Sequence, residues 1–383
     1  MTTQQIYTIL NETASQSMGA TAVNVIDTAS FIALGNAILN SGNNVEPFLN
    51  TLVQRIGRTV LVNRAYRSQF RNLIKGEMEF GAILQKVSVD MPEVVEDASL
   101  VLTDGQSVDQ YIVNKPKVNQ WLFIKDSTYS IFVTIQERWL RQAFLNESAM
   151  AGFISLVFQR VQNKLEICIE NLCRAAMNNY AASVGANQTL NMVTMYNTEA
   201  GLTATDAIPA GMSAMFNDSF LRWCAGTIRE LGRNMTNMSR IYNREGEERH
   251  SPVDRQNLAL LSKFHTQLET VSYASAFNVD YLKLVENYTV PFWQGSGTDI
   301  LDYESQSKIM VTIPQATGAN KEVTLTNVIG MMFDDDALGA FRKWQSTRTT
   351  PMNARGLYAN TFWHEDQMWF NAFDENFVLL TLN

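Results

Sequence analysis

Cysteine is scarce in this sequence. The 383 residues hold three, Cys168, Cys173 and Cys224, and an odd, sparse set builds no disulfide framework. That usage fits a reducing compartment such as a cytosol. Proline (8) and glycine (20) are few, which excludes a collagen, a low-complexity linker and a disordered chain. No run approaches the roughly 18 consecutive apolar residues of a membrane span. The start, Met1-Thr-Thr-Gln-Gln, lacks the basic and apolar regions of a signal peptide. Positive charge is short as well: 30 Lys+Arg against 38 Asp+Glu leave a net charge of -8, the wrong sign for a dedicated nucleic-acid-binding module.

Catalytic signatures are also missing. The three histidines, His250, His265 and His364, meet no serine in a G-x-S-x-G setting. His364-Glu365 does not continue to H-E-x-x-H, because position 368 is Met, and neighbours on a strand point to opposite faces. Cys168 and Cys173 lie among apolar residues and read as core. Gly295-Ser296-Gly297 is too short to cradle a phosphate, and no Walker or G-x-G-x-x-G pattern occurs. Asp334, Asp335 and Asp336 could draw a cation, but just before an expected helix their role is to cap it. No catalytic, cofactor or metal residue is assigned.

What is present is a large apolar fraction, 46%, enough for two or three lobes. Residues 1–45 are polar with small apolar groups and read as an arm carrying one or two helices, too thin to bury much alone. Helical spacing recurs over 46–62. Residues 81–95 and 119–135 read as two strands flanking a turn-rich segment, that is, one protruding hairpin. The clearest signal is an apolar stripe over 146–181 that includes Met150, Phe153, Val157, Leu165 and Ala175. It predicts a spine helix of some 35 residues, about 50 Å long. Further helices are expected at 218–231, stopped by Gly232, and at 264–277, where Thr266 and Glu269 have capping-box spacing. Strands are expected at 257–261, 326–333, 357–370 and 376–382, with a short helix from Asp334 through Trp344. Trp363, Trp369, Phe370, Phe373 and Phe377 read as core or as a wall against a neighbouring subunit.

Charge is segregated. Arg64, Arg67, Arg71 and Lys75 fall near one helical face, while 88–109 carry Asp90, Glu93, Glu96, Asp97, Asp104 and Asp109 with no basic residue. Two readings stand: two solvated faces, or an acidic hairpin that lies on the basic face of a neighbouring copy. Exposed ion pairs contribute only about 0–1 kcal/mol each, so pairing would set register more than affinity.

Two blocks carry a resemblance. IYNREG followed by NLALLSKFHTQLETVSYASAFNVDYLKL, and MMFDDDALGAFRKWQSTRTTPMNARGLYANTFWHEDQMWFNAF, resemble the HK97-fold major capsid proteins of tailed bacteriophages, a fold shared with encapsulin shells. The order of elements is similar over most of the chain. The resemblance implies an α+β chain divided into an N-terminal arm (1–50), a lead into the P domain (51–77), an E-loop hairpin (78–132), a P domain with the spine helix (133–187), an A domain (188–326) and a return to the P domain (327–383). It implies a non-enzymatic shell protein. Such a protein forms pentamers and hexamers of itself in an icosahedral phage head, works with scaffolding, portal and decoration proteins, and touches packaged DNA non-specifically. It implies no cofactor, no membrane, assembly in the bacterial host cytoplasm and residence in the virion capsid. The alternatives are an encapsulin-type compartment and, in a different class, a soluble enzyme or binding protein. Candidate intersubunit contacts are Arg64, Arg67 and Arg71 on one side and Asp90, Glu93, Glu96 and Asp97 on the other.

Overall fold

The computed structural model describes the chain apart from residues 1–2, 20–22, 40–44, 61–65, 79–82, 93, 95, 98–99, 102, 109–110, 112, 125, 155–156, 158, 204, 276–286, 295–301 and 315–317, and apart from the side chains of 53–60, 272–275 and 287. In chain order, α1 (Thr3–Met18), α2 (Thr28–Leu39) and α3 (Val45–Val60) come first. Then follow β1 (Ile74–Glu77), β2 (Leu84–Val89), β3 (Val118–Phe123), β4 (Asp126–Gln136), α4 (Glu137–Ala143), α5 (Glu147–Ile154) and α6 (Arg160–Ser183). The chain continues through β5 (Thr189–Asn191), α7 (Met192–Glu199), α8 (Asp218–Met235), β6 (Gln256–Leu261), α9 (Ser262–Ser275), β7 (Asn287–Val290) and α10 (Tyr303–Gln306). It closes with β8 (Ile309–Ile313), β9 (Lys321–Leu325), β10 (Val328–Asp334), β11 (Leu338–Thr349), β12 (Tyr358–Asn371) and β13 (Phe377–Thr381). Among the described residues no helix is long and apolar enough to cross a membrane.

Two compact units result. The first is Met1–Phe80, Asp126–Cys173 and Ala340–Met368. Its sheet has the order β1-β11-β12-β4. β12 and β4 run antiparallel from Tyr358↔Gln136 to Met368↔Asp126. Strand alternation puts Trp363 and Glu365 on the core face and Phe362 and His364 on the outer one. The stripe foreseen in the spine is buried at Met150, Phe153, Val157, Val161 and Leu165. It appears as α5 and α6, with Val157 and Gln159 in a π-helical turn between them.

The N-terminal residues depart from the expected thin arm. Ile6, Leu10, Phe31, Leu34 and Ile38 of α1 and α2 join the same core as Leu165 and Phe144. α2 comes so close that a Cβ at Gly35 would lie 2.9 Å from Phe144. The stripes on α1 and α2 are short and set in polar sequence, so only their tertiary partner shows that they are buried. Ala175, by contrast, is exposed. A second, polar stripe at four-residue spacing is buried instead: Glu166, Glu170, Arg174 and Asn178. In the first unit Glu166 accepts from the Ser68 backbone N–H at 3.1 Å and from Arg71 Nη1 at 3.1 Å. Glu170 accepts from the Tyr66 hydroxyl.

The second unit is Gly81–Lys125, Arg174–Gly339 and Trp369–Asn383. Its five-stranded sheet has the order β5-β13-β10-β6-β7. β10 lies antiparallel between β13 and β6 and is buried at every residue. α8 is capped by Asn217, whose side chain accepts from the Phe220 N–H, and it buries Phe220, Leu221, Cys224, Ile228, Leu231 and Met235. It runs past the expected stop. Gly232 is there for space: a Cβ would meet Gln256 Oε1 at 2.9 Å and Met332 Cε at 3.0 Å. α9 begins at Ser262, so Thr266 lies inside the helix and donates back to the Ser262 carbonyl instead of capping.

Two further expectations are corrected. No helix follows Asp334. The chain turns at 335–337 and enters β11, with Asp334 Oδ1 accepting from the Asp336 N–H at 2.9 Å and pairing with Arg255 at 3.2 Å. Adjacent aspartates close a turn by the same local bonds that cap a helix. The single strand expected at 119–135 is two, β3 pairing with β2 and β4 with β12. Alternation continues across the change of partner, so periodicity could not reveal it.

Burial in the second unit has a pH consequence. The Tyr180 ring stacks on Phe377 at 4.1 Å, and its hydroxyl donates to the Ala372 and Glu375 carbonyls. Burial holds this phenol well above its ordinary 10.0, and burial pushes Tyr303 up to about 12. A raised folded value favours the fold below the unfolded pKa, and that stabilisation is lost as pH rises through the folded values. Melting temperature is therefore expected to fall from about pH 10 upward. Full phenolate absorbance near pH 10 with unchanged near-ultraviolet dichroism would contradict this.

Candidate assembly surface

β2 and β3 pair antiparallel from Leu84↔Phe123 to Val89↔Val118. Their period of two divides the ribbon into two faces. The inner face carries Leu84, Lys86, Ser88, Asn119, Trp121 and Phe123, and the outer one Val87, Val89, Val118 and Leu122, each more than half exposed. Beyond the strands the chain carries apolar side chains into solvent: Val94 is 100% exposed, Leu100 82% and Tyr111 80%, with Val101, Val108 and Val113 also exposed. Glu96, Asp97 and Asp104 are exposed among them. Many exposed apolar side chains set among charges are the composition of an interface.

The root of the ribbon is held differently. Lys86 Nζ lies 2.6 Å from Asp374 Oδ2 and 2.7 Å from Glu375 Oε1. Arg249 Nη2 reaches Asp374 Oδ2 at 2.8 Å, Glu247 Oε2 at 2.7 Å and Ser88 Oγ at 2.6 Å. Asn119 donates to Glu247 Oε1 and to Asp90 Oδ1, both at 2.7 Å. Burial works against the Arg249 charge, but the hydrogen bond it donates to Asp374 and the surrounding carboxylates outweigh it and hold its pKa above the ordinary value. Beside this root is a groove of about 610 Å³, lined among others by Met91, Trp121, Arg240 and Glu248.

The candidate contact residues are distributed as follows. Arg64 and Glu93 lie outside the described residues. Arg67 is exposed, whereas Arg71 is half-buried and bound to Glu166 of its own unit. Asp90 is bound within the hairpin, to Lys117 Nζ at 2.9 Å and to Asn119. The hydrogen bond from Lys117 to Asp90 raises the lysine's pKa. Glu96 and Asp97 are exposed. Arg67 and Arg71 thus belong to the first unit and Asp90, Glu96 and Asp97 to the second. Sequence reasoning followed the charges and missed the exposed Leu100-Val101 and Tyr111. Their signal was an apolar pair and an aromatic inside a turn-rich segment. It also missed Lys86, Glu247, Arg249 and Asp374, which no local pattern connects.

His364 stacks between Trp344 and Phe362, each centroid 6.0 Å away, and no group of three or more His, Cys, Asp or Glu among the described residues could hold a metal ion. At the hairpin root Lys86, Asn119, Glu247, Arg249 and Asp374 converge and bind one another.

Comparison with known proteins identifies the fold and the family. The fold is similar to a chain of the Staphylococcus phage Andhra capsid, with a TM-score of 0.53 at 12% identity over 84% of this chain and 86% of that one. A chain from the head-fibre and inner-core structure of bacteriophage P68 gives a TM-score of 0.54 at 10% identity, with the same coverage. These likenesses show an HK97-type capsid fold in an α+β chain. The major capsid protein of Bacillus phage B103 is 20% identical over 347 residues, 90% of this chain and 64% of that protein. That of Bacillus phage GA-1 is 25% identical over 176 residues, 46% of this chain and 36% of that protein. This chain therefore spans less than two thirds of the length of these curated relatives. The model of the Phi29-like phage major capsid proteins matches residues 8–381, nearly the whole chain, and this protein belongs to that family.

Proposed function

We propose that this chain is the shell-building subunit of a tailed-phage head, self-assembling through pentamers and hexamers into an icosahedral shell around double-stranded DNA. The observation that carries the reading is the hairpin with Leu100, Val101 and Tyr111 turned to solvent. Such a surface is costly in a lone subunit and is covered when a second copy lies on it. Fully burying a large apolar side chain is worth about 1.5–3 kcal/mol, so three of them contribute about 5 kcal/mol per contact, more than a thousandfold in affinity.

Charge supports the same reading. Arg67 and the acids Glu96 and Asp97 are exposed in each copy, so Arg67 of one copy would meet Glu96 and Asp97 of the next, with Arg64 and Glu93 beside them in sequence, while Arg71 and Asp90 are held by Glu166 and Lys117 of their own chain. The division into arm, P domain, E-loop hairpin and A domain belongs to this proposal, as do scaffolding, portal and decoration partners, assembly in the host cytoplasm, and loose contact with packaged DNA. The acidic balance suits an interior that does not hold DNA fast.

The test is a triple Leu100→Ser, Val101→Ser, Tyr111→Ser variant. It is expected to keep the wild-type circular dichroism spectrum and melting temperature and to sediment as subunits or single capsomers. Shells at wild-type yield in electron micrographs would overturn the proposal.

A further inference from the structure

The attachment of the hairpin to its own unit is unusual in chemistry. Among the described residues between Gly81 and Lys125, no apolar side chain is buried; Ser88 is the buried one. Phe123 rests on Phe370 with centroids 5.5 Å apart, but neither ring is buried. Apart from these rings and the half-buried Leu84 and Trp121, the attachment described consists of ion pairs and hydrogen bonds to charged groups. Its centre is Asp374, whose side chain is 0% exposed. One oxygen, Oδ2, receives both Lys86 and Arg249, while Oδ1 is buried with no hydrogen-bond partner. Around it Glu375 takes a second contact from Lys86, and Glu247 joins Arg249 to Asn119. Four stretches remote in sequence meet here: β2, β3, the 247–249 loop and the 374–375 turn.

A two-stranded ribbon is marginal in water by itself. An apolar footing would fuse it to the sheet below, because lifting it would expose hydrocarbon. A charged footing behaves otherwise. Charge-assisted hydrogen bonds are directional, so a few of them fix an angle over a small area. Their groups are rehydrated when released, so opening exposes little apolar surface, chiefly the half-buried Leu84, Trp121 and Phe123. Local opening then costs far less than unfolding the unit.

We propose that the hairpin is a lever latched by this cluster, with Asp374 as the positioning residue that sets the angle at which the ribbon leaves the second unit. Lys86 and Arg249 are the two catches, and the ribbon releases from them as one body while the five-stranded sheet stays folded. The proposal deepens the assembly reading and rests on it for its purpose, since an aimed but releasable ribbon is what a copy needs to engage its neighbour.

The experiment is hydrogen exchange, followed by mass spectrometry, on the unassembled full-length chain. The variants are Asp374→Asn and Lys86→Met. Lys86 is 26% exposed at its side chain, so its loss is the milder change and decides the matter if Asp374→Asn does not fold. Amides of β2 and β3 are expected to exchange about tenfold faster than in the wild type, equivalent to about 1.4 kcal/mol. Amides of β6, β10 and β13 should stay within twofold. Acceleration of the hairpin of less than fivefold, or an equal acceleration of the sheet, would overturn the latch. Because exchange is read before assembly, an unmoved hairpin leaves the shell-building proposal standing, and a failure to form shells leaves the latch standing.

Discussion

Leu165→Asp is expected to abolish soluble folded protein. Leu165 is 4% exposed and sits in the core that α1, α2, α3, Phe144 and Trp363 share in the first unit. An unpaired carboxylate there must either stay charged away from water or take up a proton against its ordinary pKa. Either costs several kcal/mol on top of the lost leucine contacts, whose removal alone costs about 2–5 kcal/mol. Native domains have only about 5–15 kcal/mol in hand. Leu165→Met keeps the volume and is expected to cost less than about 1.5 kcal/mol. Soluble yield and a thermal melt of the pair check this, and a soluble Asp variant melting within a few degrees of the wild type would show that the stripe is not core.

Glu365→Ala is expected to lower the melting transition of the first unit by roughly 6–20 °C, the equivalent of about 3–5 kcal/mol for a domain of this size. Glu365 is 2% exposed. It accepts from the Tyr129 hydroxyl at 2.9 Å, from Arg342 Nε at 3.1 Å and from Gln367 Nε2 at 3.1 Å. Removing it leaves a partly buried phenol and a partly buried guanidinium without their acceptor, which costs more than the net worth of the bonds themselves. Its neighbour His364 points to the other face, so His364→Ala is expected to move the transition by a few degrees at most. Scanning calorimetry of the two variants makes the comparison. Equal shifts would show that the strand does not separate a core face from an outer face there.

Those two neighbours show what a sequence can and cannot say. The alternation that places residues 364 and 365 on opposite faces is a property of any strand, and it was legible. That Glu365 sits on the inner face as the acceptor of an internal network depends on Tyr129, 236 residues away. The same division runs through α6. The apolar stripe through Val157 and Leu165 follows from helical spacing. The parallel stripe of Glu166, Glu170, Arg174 and Asn178 reads locally as a solvated face, yet it is buried: Glu166 and Glu170 bind Tyr66, Ser68 and Arg71 in the first unit, and Arg174 and Asn178 donate to the Phe292 and Trp293 carbonyls in the second.

Several things were determined by the sequence by itself. The spine stripe, the strands at 257–261 and 376–382, the pair of strands within 81–95 and 119–135 and the family resemblance all rest on local period or on motifs carried within one segment. Tertiary structure alone decided the rest. It turned Asp334–Asp336 from a helix cap into a turn, because the same short-range hydrogen bonds serve both. It split the 119–135 strand, because alternation is blind to which strand lies alongside. It packed α1 and α2 into the core, because a short stripe is buried only if a matching surface arrives. It also engaged Arg71 and Asp90 within their own chain and revealed that the hairpin is footed on charge and tipped with hydrocarbon. Lys86 and Glu375 are 289 residues apart, and at that range charge, unlike periodicity, carries no information about its partner until the fold brings the two together.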